Sequence, residues 1–451
     1  MVLRASCLWL LGIACTPPED VVDDLSKPTP TLPTETTLSP LPKADPDPDP
    51  KPNAPTATGD CEATDHPLVF RCRFEMSEKA PLRLTVTSPT ATERTFERPA
   101  AVTHELLAWG LEADTTYTWT VSNATGSLTT GLLPTELNPL TVDVQGTLFG
   151  TDAVLVYVGC GYFLMIESDG DVVWFGETDV YDFLADGMMW SQETRTVLAL
   201  RDSTMSFNEP SKYEEIDLLG QTLLELNEGV DFDARLTHDI GRWQGYTYLL
   251  AEDQSRGGGF LVYDGPTFLG QWSLLDDFVT GNSHVNGLTV STTGEVVISD
   301  LTSDTIVAVD GDPASPTFLK RLWHASGGTG SNLPDPDYEP VSGILFDGQH
   351  NASRHGDELW VFDNRSQGDS RALRMAMDHV NGKLTEIDSW SMNRRCNNQG
   401  GAMPLPGGVL ATCANTGRVL AFADGSNEAE WAMLAECQGA GMTRAFPVTI
   451  N

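Results

Sequence analysis

Positive charge is scarce in this sequence. Its 451 residues include 27 lysine and arginine residues against 64 aspartate and glutamate residues, so the formal net charge is -37 at pH 7. A long-range field of that sign repels phosphate, which argues against nucleic acid and anionic membrane surfaces as partners. An anionic substrate would need a locally basic pocket to overcome the field.

Familiar metal and phosphate motifs are also missing. No cysteines have CxxC spacing and no histidines have HxH or HExxH spacing, which argues against zinc. Gly257-Gly258-Gly259 lacks the lysine and helix of a phosphate loop, so it predicts a turn. Two alternatives stay open: a metal held by three separate histidines, and Ca²⁺ in the aspartate-rich loops 300–312 and 335–337. We expect that the protein needs no metal or organic cofactor.

The hydrophobic run at the start of the chain is too short to span a membrane. Leu8-Trp9-Leu10-Leu11 follows Arg4 and precedes small residues, a pattern typical of a secretion signal. Cys15 resembles the acylated cysteine of bacterial lipoproteins, so residues 1–15 are predicted to be a lipoprotein-type signal peptide, with an ordinary cleaved signal as the alternative. We therefore expect an exported protein, anchored by lipid at the periplasmic face or the cell surface, whose only membrane contact is that anchor.

Six cysteines remain once the signal region is set aside. An even number in an exported chain favours disulfides. Cys61 and Cys72 are predicted to pair because they are the only two in their domain, whereas the other four allow three pairings: Cys160, Cys396, Cys413 and Cys437.

The composition changes twice along the first third of the chain. Residues 16–60 are rich in proline, threonine and aspartate, which predicts a disordered, semi-rigid linker. Residues 61–133 contain alternating segments such as Leu82–Val86 and Thr116–Val121, which predict a small β-sandwich. The segment Leu111–Tyr117 resembles a loop and strand of fibronectin type III domains, in which the tyrosine packs back as a corner.

Residues 134–451 show almost no helical periodicity. Strand patterns alternate with turn residues, and several units end in an apolar strand that carries a tryptophan. This repetition predicts a six-bladed β-propeller, so the chain is predicted to be all-β with an Ig- or fibronectin III-like sandwich in front. The predicted blades lie near 150–176, 185–228, 234–274, 282–324, 342–390 and 397–435. The first looks short, and strands near 138–158 are predicted to complete it.

Three histidines recur at similar places in these repeats. His238, His284 and His350 are each followed, within about ten to fifteen residues, by an apolar strand pattern, as in Tyr246–Ala251 after His238. Because each histidine opens a repeated β unit, we expect the three imidazoles to converge on the central channel. A structural role for each histidine is the alternative.

The same segments resemble the bacterial arylsulfate sulfotransferases, periplasmic six-bladed propellers that move a sulfuryl group between phenols. The resemblance rests on Thr237–Ile240, Ser283–Gly287 followed by Gly294–Ser299, Gln349-His350, Phe362-Asp363-Asn364, Asp369-Ser370-Arg371 and Gly400–Gly408. It implies that His350 is the nucleophile that becomes sulfurylated, while His238 and His284 bind the sulfuryl oxygens or manage the leaving phenol. Asn286 and Asn364 are the expected substrate-binding residues, and an aryl sulfate and a phenol the expected small-molecule partners.

One element of the family pattern is absent. The resemblance implies an arginine after the strand that follows the second histidine, where this chain has Ser299-Asp300-Leu301. A guanidinium there would bind the sulfate and stabilise the transferring group. Arg371 is predicted to take this catalytic role, ahead of the other candidates Arg365, Arg394 and Arg395. The alternative to an enzyme is a non-catalytic propeller that binds a small ligand or a surface partner in the same channel.

Overall fold

The structure is a computed structural model that describes residues 54–451 except 179–186, 202–209, 254–256, 279–282, 331, 366–367, 398, 438–443 and 451. The predicted signal peptide, the lipidation site Cys15 and most of the predicted linker lie outside the described residues. In the described ranges, no helix has the length and apolar character needed to cross a bilayer. The chain is nearly all β, consistent with a β-propeller.

Five strands form an N-terminal antiparallel sheet that begins earlier than residue 61. They are β1 (Ala57–Ala63), β2 (Phe70–Thr87), β3 (Glu93–Ala108), β4 (Thr116–Val121) and β5 (Ala124–Thr129). The long β2 pairs with β1, β3 and β4, so these strands belong to one sheet. Cys61 and Cys72 face each other across β1 and β2 and form the predicted disulfide. The Tyr117 hydroxyl accepts a hydrogen bond from the Glu112 amide at 2.9 Å, which is the predicted corner contact.

The next strands form the first three of six further sheets. After a 3-10 turn at Thr135–Leu137, β6 (Thr141–Gly146) precedes sheet 1, and α1 (Leu274–Asp277) follows sheet 3. Sheet 1 contains β7 (Ala153–Tyr157), β8 (Tyr162–Glu167) and β9 (Val172–Glu177). Sheet 2 contains β10 (Met188–Ser191), β11 (Thr196–Arg201), β12 (Lys212–Ile216) and β13 (Thr222–Asn227). Sheet 3 contains β14 (Arg235–Trp243), β15 (Tyr246–Asp253), β16 (Gly257–Asp264) and β17 (Thr267–Ser273).

Three more sheets follow in the same antiparallel pattern. Sheet 4 contains β18 (Val285–Val290), β19 (Glu295–Asp300), β20 (Thr305–Asp310) and β21 (Arg321–Ser326). Sheet 5 contains β22 (Glu339–Pro340), β23 (His350–His355), β24 (Glu358–Asp363), β25 (Arg371–Asp378) and β26 (Lys383–Ser391). Sheet 6 contains β27 (Gly401–Leu405), β28 (Gly408–Cys413), β29 (Arg418–Ala423) and β30 (Ala429–Glu436), with a 3-10 turn at Ala414–Thr416. The last strand is β31 (Ala445–Val448).

The predicted completion of the first repeat agrees with the structure for β7, which lies within 138–158 and belongs to sheet 1, but not for β6. β31, from the far end of the chain, pairs with β7 and completes sheet 1, whereas β6 pairs with β30 at the outer edge of sheet 6. The strand that pairs with the inner edge of β7 therefore lies about 290 residues later in the sequence, where Val448 pairs with Ala153. Cys160 bonds to Cys437 beside this junction, and Cys396 bonds to Cys413.

One edge strand of each sheet faces a common axis. The strands β10, β14, β18, β23, β27 and β31 contact one another in cyclic order, and we call them the six inner strands. The second and third strands of the sheets are buried along their length, as in β8, β19 and β20, because both faces pack against neighbouring sheets. The repeated tryptophans lie in the last strands, where Trp174, Trp390 and Trp431 are fully buried.

Candidate functional site

The histidines lie where three inner strands depart from regular pairing. The register of β14 against β15 shifts between Leu236 and Ile240, and the register of β23 against β24 shifts between His350 and Ser353. A similar shift follows Val285 in β18, next to His284. A β-bulge bends the strand and redirects its side chains, which explains why polar residues at these strand starts face the axis. His238 adopts a φ of 52°, a left-handed conformation uncommon for histidine.

The three predicted imidazoles meet. Nε2 of His238 lies 3.4 Å from Nε2 of His284, and the His238 and His350 ring centroids are 6.3 Å apart. All three side chains line one cavity of about 610 Å³, which we call the histidine cavity. This volume lies in the range of small-molecule sites. The prediction of convergence therefore agrees with the geometry of the described residues.

Asn364 fixes the tautomer of His350. The Asn364 side-chain nitrogen donates to the carbonyl oxygens of Cys396 and Gln399, both at 2.8 Å, so its Oδ1 points at His350. Nδ1 of His350, 2.7 Å from that oxygen, must carry the proton and donate it. The lone pair of the ring is therefore on Nε2. Burial, together with the charges of His238 and Arg444, lowers the pKa of His350 to about 3, so the ring is neutral at ordinary pH.

His284 has a carboxylate partner. Its Nδ1 lies 2.9 Å from Oε1 of Glu252, at the end of β15, and its backbone amide donates to Asp300 at 2.7 Å. A carboxylate at this distance orients the imidazole. Between the Nε2 atoms of His284 and His238, one must donate and the other accept. The pair is thus suited to handling a proton beside the neutral His350.

A buried ion pair lies next to His238, between Asp239 of β14 and Arg444. Arg444, just before β31, contacts Asp239 through Nη1 at 2.5 Å, and both side chains are 1% exposed. Its Nη2 donates to the Asn286 carbonyl oxygen at 3.1 Å. Asp239 also accepts from the Leu288 amide at 2.8 Å. Burial raises the pKa of Asp239 while Arg444 opposes the rise. The pair ties inner strands of sheets 1, 3 and 4 together behind the imidazoles.

The arginines that line the cavity do not include Arg371, which the sequence predicted to take the catalytic role. Arg365 and Arg395 line the histidine cavity together with Asp304 and Asp347. The Arg371 guanidinium instead bonds to Asp363 at 2.9 Å, to Glu386 at 2.9 Å and to the Leu345 carbonyl oxygen at 2.6 Å. The structure does not bring Arg371 to the cavity wall, because it braces the start of β25.

Of the two asparagines predicted to bind substrate, only one lies at the cavity. Asn364 lines the cavity, but Asn286 is completely buried, where its amide donates to the Gln349 carbonyl oxygen at 2.7 Å and accepts from Ser299. Leu301, at the position where the family pattern implies arginine, lines the cavity with an apolar side chain. Cationic groups for an anion would therefore come from Arg365 and Arg395.

Sequence reasoning missed two contributors, Arg444 and Glu252. The segment Arg444–Val448 follows the last predicted blade and is only one short strand, so no repeat pattern drew attention to it. Glu252 ends the apolar pattern that follows His238, and a carboxylate at the end of that strand is the signal that could have revealed it. Across the described ranges, no group of three or more histidine, cysteine, aspartate or glutamate residues has the geometry to hold a metal ion.

Comparison with known proteins gives no family. No family model matches the sequence, and no curated protein matches it. Among solved structures, a periplasmic gluconolactonase of Pseudomonas aeruginosa is 13% identical with a TM-score of 0.39, covering 82% of this chain and 100% of its own. Virginiamycin B lyase of Staphylococcus aureus is 9% identical with a TM-score of 0.36, covering 85% and 99%. At these values the similarities support no assignment of activity.

Proposed function

We propose that the protein is a six-bladed β-propeller enzyme, preceded by a fibronectin III-like sandwich, that transfers a sulfuryl group from an aryl sulfate to a phenol through His350. The six sheets and the cyclic contacts of their inner strands support the propeller. The observation that carries the proposed chemistry is the state of His350: a neutral ring, held by Asn364, whose unprotonated Nε2 belongs to a cavity shared with two other imidazoles.

The proposed reaction has two displacements at sulfur. Nε2 of His350 attacks the sulfur atom, a nitrogen–sulfur bond forms, and the bond from sulfur to the aryl oxygen breaks. The departing phenolate takes a proton from the His238–His284 pair. In the second step an acceptor phenol returns its proton to that pair, its oxygen attacks sulfur, and the nitrogen–sulfur bond breaks. A neutral imidazole suits both steps because it attacks without prior deprotonation and leaves readily.

Charge stabilisation would come from the cavity rim. The sulfuryl oxygens carry negative charge, and Arg365 and Arg395 are the cationic side chains among the described cavity residues. Guanidinium groups bind such oxygens through paired N–H donors. Asp304 and Asp347 line the same cavity, so the two guanidinium groups would act on an anion by direct contact and not through a net positive field. The site requires no metal or organic cofactor, and export with a lipid anchor at Cys15 completes the proposal.

The proposal is tested with a chromogenic phenyl sulfate donor and a phenol acceptor. We expect turnover by the intact protein, loss of turnover in His350→Ala, and a stable adduct with the mass of one SO₃ group on His350 when the acceptor is omitted. His379→Ala is the matched control, because His379 lies on the surface against Asp357 and should keep full activity. Absence of turnover in the intact protein would favour the non-catalytic binding module instead.

The protonation state of His350 gives a second test. Because its pKa is lowered to about 3 from an ordinary value of 6.5, the ring should stay neutral, with the proton on Nδ1, as pH falls from 6.5 toward 4. The neutral buried ring contributes fully to the free energy of unfolding above pH 6.5, and this contribution is lost as the pH falls toward the folded-state pKa. Nitrogen NMR of labelled histidine should show a ring signal that stays neutral, with its proton on Nδ1, throughout this window and that is absent in His350→Ala.

A further inference from the structure

A second cavity opens at the opposite ends of the six inner strands. It has a volume of about 440 Å³, and every inner strand contributes to it. β14 lines the histidine cavity with His238 and the second cavity with Ile240, and β23 lines them with His350 and Ser353. Asp239, which is paired with the buried Arg444, lies between His238 and Ile240 in the sequence. The two cavities are therefore separate sites at opposite ends of one axis, and the argument for the second does not depend on the proposed transferase activity.

One side of the second cavity is apolar and adaptable. Sheets 6, 1 and 2 supply side chains without charge, among them two methionines, a tryptophan and a phenylalanine, namely Met403, Pro404, Phe446, Pro447, Met189 and Trp190. Methionine thioethers and aromatic rings pack well against planar apolar molecules. Trp190 donates its indole N–H to Gln192 at 2.7 Å, so its ring offers only an apolar surface to the cavity.

The other side supplies hydrogen-bond donors without net charge. Arg242 lies 3.3 Å from Glu215, and Arg354 lies 2.8 Å from Glu295, so each guanidinium is already neutralised. Neither the Nε of Arg242 nor the hydroxyl of Ser353 has a hydrogen-bond partner among the described residues. His355 also lines this side, and partial burial lowers the pKa of its ring. A buried donor without a partner is costly, and because both donors have almost no exposed surface, an acceptor on a ligand would satisfy them after a small shift of the cavity wall.

We propose that the second cavity binds a neutral, largely aromatic small molecule that carries a carbonyl or similar hydrogen-bond acceptor. The aromatic body would contact the side built from Met189, Trp190, Met403 and Phe446, and the acceptor would face Arg242 and Ser353. An anion is disfavoured there, because both arginines are neutralised and the whole chain carries a net charge of -37. This site is distinct in chemistry from the histidine cavity, whose rim carries Arg365 and Arg395.

The test uses prodan, a neutral naphthalene ketone whose emission shifts to the blue in apolar surroundings. The full chain should bind one equivalent saturably. Met403→Glu and Met189→Glu, each at a partly exposed position of the apolar side, should each weaken binding by about tenfold or more, because a carboxylate there must lose water when the ring binds. Anilinonaphthalene sulfonate, of similar size but anionic, should bind at least about tenfold more weakly than prodan.

Two controls keep the result interpretable. Val380→Glu adds the same charge at a position that is 91% exposed, so it should bind prodan like the intact chain. His350→Ala alters only the histidine cavity and should also leave binding unchanged. The proposal is overturned if His350→Ala abolishes binding, if Val380→Glu weakens it equally, if both methionine variants bind normally while retaining the thermal unfolding temperature of the intact chain, or if binding does not saturate.

Discussion

Sheets 3, 4 and 5 differ from sheets 6, 1 and 2 in one respect, the regularity of their inner strands. The pairings of β14, β18 and β23 each contain a register shift, whereas those of β10, β27 and β31 contain none. The irregular half carries all three cavity histidines, and the regular half supplies the apolar side of the second cavity. The strands with register shifts therefore line the histidine cavity, and the strands without them supply the apolar side of the second cavity.

The difference shows how the irregular half is stabilised. A bulge leaves backbone groups unpaired and residues such as His238 in unfavourable conformations, so other contacts must hold it. The Asp239 carboxylate accepts from the amides of Ile240 and Leu288 across two of the bulges, and Arg444 from the regular half neutralises it. A residue of the regular half therefore helps to stabilise the bulged strands of the irregular half.

The strongest way to break this relationship is Arg444→Met. Removing the cation leaves the Asp239 carboxyl group buried without its ionic partner, which should lower the free energy of unfolding by about 3–5 kcal/mol, measured by urea denaturation. The double variant Asp239→Asn with Arg444→Met removes both charges and should recover a large part of the loss. Equal destabilisation of the single and double variants would mean that the ion pair does not support the irregular half.

A glycine in each half gives a matched comparison of packing tolerance. A Cβ on Gly287, in the bulge of β18, would lie 2.6 Å from the Asn351 amide nitrogen, but a Cβ on Gly401, in β27, would meet nothing closer than 3.5 Å. Gly287→Ala should therefore cost about 1–3 kcal/mol of unfolding free energy, and Gly401→Ala should change it by less than about 0.5 kcal/mol. Comparable losses at both positions would remove the distinction between the halves.

The smallest expected effect concerns the cavity arginines. Arg395→Gln should raise the KM for an aryl sulfate by about tenfold with little change in unfolding free energy, because Arg395 lines the cavity and is exposed. Arg371→Gln should lower the free energy of unfolding and leave the KM nearly unchanged, because the Arg371 guanidinium bonds to Asp363 and Glu386 away from the cavity. A KM increase in Arg371→Gln alone would restore Arg371 to the role that the sequence predicted.

The sequence predicted the repeats well because the apolar strands are long and continuous. The patterns around Tyr246–Ala251, Glu295–Ser299 and Glu358–Asp363 are the second strands of sheets 3, 4 and 5, and their periodicity survives in the structure. The three inner strands beside the histidine cavity, β14, β18 and β23, are marked in the sequence more clearly by a histidine than by any repeated pattern. Pairings between distant segments, such as β7 with β31 and Asp239 with Arg444, depend on ring closure and leave no local trace.

Cys160 and Cys437 are 277 residues apart in the sequence and are covalently joined beside the junction of sheets 6 and 1. In the chain-entropy account, a crosslink across so long a loop disfavours the unfolded ensemble by roughly 5 kcal/mol. While the bond is intact, sheets 6 and 1 cannot separate at this junction, where β6 and β31 join the two sheets. An oxidising compartment would therefore protect the very joint at which mechanical or thermal opening would otherwise begin.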